Sequence, residues 1–394
     1  MIATAEVLAS WVSQLVKIPS VNPLHAGPSC GVPGEKAIAT YLAQVFHGLG
    51  AIEVVLDDVV DDRPNVYGFF RGRTDRLVAL DVHTDTVTVE NMTDAPFDGR
   101  IEQGHVWGRG ALDTKASMGV ICALIELWKS AGLQMEPNLL VVGSISEEAG
   151  GLLGASRFRK WAESRKLSID QLVIAEPTEC APIHGHKGAV GMRITVIGES
   201  AHSATPERGK NSIFAAARLI SALENHHYEL VSQTPTTEVG TGTLLVAMIK
   251  GGIAGNVVPD RCELTVGRRM APGDDVQTIY DDLVALAIAS CPLPITVEPI
   301  FITPEGLPGS PAFYQSPDSG LVRTLAAAAG THATTAPFGT NALRYDGFAR
   351  EKVIFGPGNI EDAHRSTERV AIADLERTAR AFAAWLNPTR ARDS

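Results

Sequence analysis

The amino-acid sequence predicts an α/β protein with an open, mostly parallel central sheet and a ferredoxin-like unit inserted as a separate domain. Three observations point there. Short apolar runs such as Leu77-Val-Ala-Leu80 and Leu139-Leu-Val-Val142 suit strands buried on both faces, and they alternate with segments of helical period. Imidazole and carboxylate groups stand just past several of these runs, where open α/β sheets bind their ligands. From about residue 187 the order changes to β-α-β-β-α-β, a ferredoxin-like order. At 394 residues the chain also exceeds the size at which a single core stops growing. The expected division is 1–183 and 300–394 for the main domain, with 184–299 inserted between them.

The elements follow in order. Thr4 can cap a helix carrying Leu8, Val12, Leu15 and Val16, which Pro19 closes. Residues 27–31 match the Gly-x-Ser-x-Gly hydrolase elbow, but that elbow needs a strand before it and a helix directly after. Here a proline-rich loop precedes and Pro33 follows, so a serine hydrolase is set aside. A helix over 35–49 precedes strands at 52–56, 65–70 and the central one ending at His83. A short strand at 105–107, a helix over 116–128 and a buried strand over 138–144 come next. Glu147-Glu148 follows that last strand; two carboxylates beside Gly150, Gly151 and Gly154 would repel a phosphate. A helix over 154–166 and a strand over 171–175 lead to Glu176. In the insert, strands at 188–198, 243–250, 262–269 and 295–299 frame helices over 211–223 and 275–289. A helix over 321–329, a strand over 353–355 and a helix over 373–385 complete the chain, and 387–394 reads as a disordered tail.

Composition bounds the function. A net charge of −11 argues against nucleic acid or an anionic membrane as the main partner. Five cysteines, odd in number and without a Cys-x-x-Cys, suit reduced thiols better than a disulfide framework. The beginning of the chain lacks a basic region with an apolar stretch, and no apolar run would cross a bilayer. The expectation is a soluble, cytoplasmic protein.

His83 and Asp85 lie one residue apart, so in extended geometry they point the same way. A carboxylate beside an imidazole fixes its tautomer and raises the basicity of its other nitrogen, as metal sites require. Asp113, Glu147-Glu148, Glu176 and His364 fall past strand ends or in nearby turns. Each alone reads as a surface carboxylate or a satisfied histidine. Several carboxylates converging on one crevice would repel each other, and two divalent cations would relieve that repulsion. An N/O ligand set suits zinc, with cobalt or manganese as substitutes. There is no His-Glu-x-x-His helix, which excludes a thermolysin-type site.

At this point the chain resembles the di-zinc amidohydrolases that comprise acetylornithine deacetylase, succinyl-diaminopimelate desuccinylase and related aminoacylases and carboxypeptidases. The resemblance covers nearly the whole chain. It rests on Leu80-Asp-Val-His-Thr-Asp85, Gly108-Arg-Gly-Ala-Leu-Asp-Thr-Lys-Ala-Ser-Met-Gly119, Ser146-Glu-Glu148, Ala175-Glu-Pro-Thr178, Ser200-Ala-His-Ser-Ala-Thr-Pro206, Asn256-Val-Val-Pro-Asp260 and Gly356-Pro-Gly358 with His364. It implies a zinc-peptidase-like catalytic domain and an inserted lid and dimerisation domain. It also implies two zinc ions per subunit. Asp113 would bridge them, His83 and Glu176 completing one site, Glu148 and His364 the other. Glu147 would be the general base and Asp85 the partner of His83. His202 would stabilise the oxyanion; in dimeric relatives it enters the partner's active site, as does the residue matching Asn256. Arg269 matches an arginine that grips the substrate carboxylate, a task suited to its planar fork.

The departures fall among the substrate contacts. Gly267 stands where the family usually has Asp, and Asn341 replaces a frequent Asp in Gly339-Thr-Asn-Ala-Leu-Arg344. Thr340 and Arg344 remain candidate carboxylate ligands. The resemblance implies a homodimer that cleaves the amide of an N-acyl amino acid or short peptide. A dipeptidase or carboxypeptidase of the same mechanism is the second reading, and a non-catalytic relative the third. The third would be marked by a lost ligand or base, and none is lost.

Overall fold

The computed structural model describes residues 1–149, 151–233 and 237–387. Gly150 and, of the tail expected over 387–394, all but Asn387 lie outside the described residues. The chain divides into two compact units. One takes Met1–His184, Gln315–Thr334 and the chain from Thr340 onward; the other takes Gly185–Tyr314 and Thr335–Gly339.

The first unit begins with α1 (Ala5–Val16) and α2 (Lys36–Leu49), then β1 (Glu53–Val60), β2 (Arg63–Phe70) and β3 (Leu77–His83). A small antiparallel pair, β4 (Ile101–Glu102) and β5 (His105–Trp107), precedes α3 (Lys115–Ser130). Then come β6 (Asn138–Ser144), α4 (Leu153–Ser164), β7 (Ile169–Ile174) and the exit strand β8 (Ile183–His186). Strands β6, β3 and β7 run parallel because α3 and α4 make the crossovers between them. β1 and β2 add antiparallel at the β6 edge. Every residue of β3 is buried. Its period of two divides the work: Val78, Leu80 and Val82 join the core with α1, α2 and α3, while Asp81 and His83 face the other way.

The second unit runs β9 (Gly188–Ile197), α5 (Ser212–Gln233), β10 (Thr243–Gly251), β11 (Arg261–Met270), α6 (Val276–Ser290) and β12 (Ile295–Pro299). Its strands lie in the antiparallel order β10-β11-β9-β12. Val190, Met192, Ile194 and Val196 alternate inward from β9 to form its core with Leu219, Leu223, Leu264 and Leu283. Two differences from the sequence reading stand out. Helix α5 ends at Gln233 rather than Leu223, because residues 224–233 are mostly polar and advertise no apolar face. The unit also continues past 299. β13 (Gly309–Ser310) pairs with β9, and β14 (Phe313–Tyr314) pairs with Gly185 and His186, so the chain returns at Gln315 and not at 300. Strands of two residues are too short to show a period.

Back in the first unit, α7 (Gly320–Ala329) leads to β15 (Thr334–Ala336), whose last two residues belong to the second unit; β16 (Ala349–Ile354) then adds parallel to β7, β17 (Arg369–Ala371) pairs with β5 and α8 (Ile372–Leu386) closes the fold. Gly356, just past β16, has a structural reason: a Cβ there would lie 2.5 Å from the Glu176 carbonyl oxygen. The absence of a side chain lets Gly356 and Thr178 exchange hydrogen bonds and clasps the two strand ends together.

Candidate active site

The ends of β3, β6 and β7 deliver His83, Glu147-Glu148 and Glu176. The turn before α3 supplies Asp113, and the segment after β16 supplies His364. These residues converge. His83 Nε2 lies 2.9 Å from Asp113 Oδ1, and His364 Nε2 lies 3.2 Å from Asp113 Oδ2. His364 Nε2 is also 3.0 Å from Glu148 Oε2. Each oxygen of Asp113 thus faces a different imidazole. Ligand atoms of His83, Glu147 and Glu176, and of His83, Asp113 and Glu148, cluster within 4.8 Å of one another.

The tautomer of His83 decides what this cluster needs. Its Nδ1 donates to the Asp85 backbone carbonyl at 3.0 Å, so neutral His83 keeps a bare lone pair on Nε2. That lone pair points at a carboxylate oxygen, which is also an acceptor, so a proton or a metal ion has to lie between them. Glu176 Oε1 is buried and has no hydrogen-bond partner among the described residues. The charges tell the same story. Burial, followed by Glu148, Asp113 and Asp85, pushes Glu147 up to about 8. Burial and Asp113 push Glu148 up to about 7, and burial with Glu147 and Asp113 holds Glu176 well above the usual carboxylate range. Asp113 and Glu148 push the half-exposed His364 up to about 10. Repelling carboxylates, an orphaned oxygen and an imidazole lone pair aimed inward fit a divalent cation with N/O preference.

Asp85 behaves differently from the sequence expectation. Its backbone carbonyl, not its carboxylate, bonds His83, and the nearer carboxylate oxygen stands 3.7 Å from Nδ1. The carboxylate instead accepts the backbone N–H groups of Glu147 at 3.0 Å and Glu148 at 3.1 Å, with Asn22 Nδ2 at 2.8 Å. It fixes the turn that carries both glutamates. Glu35 and Arg63 hold the same turn from outside. Arg63 forks onto Glu35 at 2.6 Å through Nε and Nη2; Glu35 accepts from Ser146 N, and Arg63 donates to Ser146 Oγ. Ser146 needs this support, because its φ of +61° is left-handed. On the opposite side, buried Glu368 takes Arg109 and the backbone N–H groups of Leu112 and Asp113. Arg109 falls within the Gly108–Gly119 motif, but Asn22, Glu35, Arg63 and Glu368 do not stand out in the sequence as part of a site.

In the second unit, His202 and Asn256 are exposed neighbours: Ser203 N donates to the Asn256 carbonyl at 3.0 Å. His202 Nδ1 accepts from Ala204 N at 3.1 Å, so the neutral ring carries its proton on Nε2 as a donor. Arg269 is exposed, and the nearby acids are engaged elsewhere, Asp274 with Arg268 and Asp275 capping α6. Thr340 and Arg344, in the first unit, are buried. The Thr340 hydroxyl accepts from Ala342 N, and Arg344 donates to the Gly151 carbonyl.

Residues 79–387 match peptidase family M20/M25/M40, and the chain belongs to that family, a metal-dependent amide hydrolase by fold and site. It is 30% identical over 332 residues to acetylornithine deacetylase from Myxococcus xanthus, covering 82% of this chain and 83% of that one. It is 28% identical over 366 residues to the acetylornithine deacetylase of Aliivibrio fischeri, covering 91% and 93%. Among solved structures, a Staphylococcus aureus tripeptidase superposes with a TM-score of 0.76 at 21% identity over 98% of both chains. A metallo-carboxypeptidase from Sulfolobus solfataricus does so at 0.73 and 17%, over 97% of this chain and 99% of that one. Those two likenesses concern the fold. Among the described residues no helix is long and apolar enough to cross a membrane.

Proposed function

We propose that the chain deacylates an N-acyl amino acid in the cytoplasm, working as a homodimer with two metal ions per subunit. The observation that carries the metal chemistry is Asp113 between two imidazoles, each facing one of its oxygens. The acetylornithine deacetylases from Myxococcus and Aliivibrio support the substrate class. Dipeptide or C-terminal peptide cleavage by the same residues is the second reading, favoured by the likeness to peptidases.

His83, Asp113 and Glu176 would hold one ion, and Asp113, Glu148 and His364 the other, with zinc, or cobalt or manganese in its place, polarising the scissile carbonyl and acidifying water. Glu147 belongs to one of the ligand-atom groups, with His83 and Glu176, but the other five side chains are enough to hold two ions, which leaves Glu147 to act as the base. It takes a proton from the attacking water as the new C–O bond forms, and passes it to the amine nitrogen as the C–N bond breaks. Asp85 keeps that carboxylate in place through the backbone of the turn. His202 offers its Nε2–H to the developing oxyanion. Among the described residues no acid is paired with Arg269, and it grips the substrate carboxylate in a bidentate, charge-assisted contact. Asn256, adjoining His202, contacts the substrate with it, and Thr340 and Arg344 shape the substrate side from buried positions. The dimer is supported by apolar side chains exposed on α5 and on β10, the edge strand: Phe214, Tyr228, Leu245, Met248 and Ile249. The free cysteines Cys30, Cys122, Cys180, Cys262 and Cys291 agree with a reducing compartment.

The test is a panel of N-acetyl and N-succinyl amino acids and dipeptides, each as free acid and as C-terminal amide. The wild type should cleave an N-acyl amino acid acid strongly over its amide. Arg269→Ala should lose that preference, at about a 10- to 100-fold cost in kcat/KM. Equal cleavage of acid and amide by the wild type contradicts the clamp, and cleavage of dipeptides alone selects the second reading.

A further inference from the structure

Asp81 sits in the middle of β3, two residues before His83 on the same face, and is fully buried. Among the described residues no lysine or arginine bonds it. Its carboxylate accepts from three neutral donors instead: Ser144 Oγ at 2.7 Å, Tyr345 Oη at 2.6 Å and Asn341 Nδ2 at 3.0 Å. Asn341 gives its second N–H to Ser144 Oγ at 3.1 Å, and all three partners are buried. The network is saturated on the donor side. Ser144 Oγ accepts once and donates once, Asn341 spends both amide hydrogens, and Asp81 accepts three bonds. Among the described residues Asn341 Oδ1 has no hydrogen-bond partner.

The partners come from different elements. Asp81 belongs to the strand that ends in His83. Ser144 is the last residue of β6, two before Ser146 and the Glu147-Glu148 turn. Asn341 begins the 3-10 turn Asn341–Arg344, and Tyr345 ends it, its ring stacked on Phe348 and edge-on to Phe158. We propose that Asp81 and Asn341 are a reciprocal carboxylate–amide pair that registers this turn against the two strand ends bearing His83 and Glu147, making Asp81 a positioning residue for the hydrolysis. The pair explains why Asn stands at 341. An Asp there would set acceptor against acceptor where an N–H now donates, both facing Ser144. Either position can hold the carboxylate, but not both.

A double-mutant cycle tests this with Asp81→Asn, Asn341→Asp, the exchanged double variant and Tyr345→Phe in the full chain. Melting temperature, bound zinc, kcat and KM are read on whichever amide the wild type cleaves. Melting needs no substrate, so a failed substrate assignment leaves the cycle readable. Asn341→Asp should lose roughly 5–10 °C and about tenfold or more in kcat, with zinc content kept and KM changed by less than roughly threefold. Asp81→Asn should lose less, since its amide can still meet Asn341. The exchanged variant should return to within about 3 °C and threefold of wild type, a departure from additivity that only a direct pair produces. Tyr345→Phe keeps the ring packing and removes one donor from the buried carboxylate; it should lower kcat roughly three- to tenfold and melting by a few degrees, less than Asn341→Asp, and unchanged kcat and melting would count against Asp81 as a positioning residue. If Asn341→Asp fails to fold, a folded and active exchanged variant still supports the pair. An exchanged variant as impaired as the sum of the singles, or an Asn341→Asp chain indistinguishable from wild type, overturns it.

Discussion

Glu147 occupies the position in the cluster where a proton acceptor is most useful. Its backbone is fixed by Asp85 and its carboxylate lies among acids that raise its affinity for a proton. Cations bound beside it would hold it ionised and ready to accept. Glu147→Gln keeps the shape and removes the basicity, so turnover should fall ~10²–10⁴-fold while metal content stays near wild type; a variant of near wild-type activity would remove Glu147 from the base role. At this scale the sequence told much: the convergence of His83, Asp113, Glu147, Glu148, Glu176 and His364 was legible because ligand-type residues cluster past strand ends. Asp85 was legible as a site residue but not in its contact, since no spacing distinguishes a backbone carbonyl from a carboxylate as the partner of an imidazole. Thr340 and Arg344 lie in the expected turn, but their burial could not be read from a polar loop.

The supporting elements were the illegible part. Glu35 stands just before α2 and Arg63 begins β2, each reading alone as an ordinary surface charge, yet they lock together beneath the Ser146 turn. Glu368 reaches Asp113 across 255 positions, and Asn22 reaches Asp85 across 63. Such contacts depend on tertiary approach, which no local period encodes. Periodicity did supply the long strands and helices, and it failed for the two-residue strands and for the polar half of α5. The Glu35–Arg63 buttress makes a stability prediction. Arg63→Met leaves Glu35 buried without its cation and should cost about 3–5 kcal/mol in urea unfolding, while Glu35→Gln with Arg63→Met should cost clearly less. Equal losses in the single and double variants would mean the pair is not coupled.

Over the whole molecule, ligands and base lie in one unit and His202 with Asn256 in the other. If copies share sites through the inserted unit, an inactive His202→Ala chain and an inactive Glu147→Gln chain should restore part of the activity when mixed and allowed to exchange. One mixed site would then carry both wild-type residues. No recovery after exchange verified by mass would make each site the work of a single chain, and a monomer by sedimentation would remove the exposed face of α5 and β10 as an interface.

The central claim is that the cluster around Asp113 binds the metal on which amide hydrolysis depends. The direct measurement strips the protein with a chelator and titrates it with zinc, following bound metal and released amine together in wild type and Asp113→Ala. Activity should be absent in the stripped protein and return in step with zinc binding up to two equivalents, with Asp113→Ala neither holding the metal nor recovering. Hydrolysis that persists in the stripped protein, or an Asp113→Ala chain that binds and works like wild type, would contradict the account.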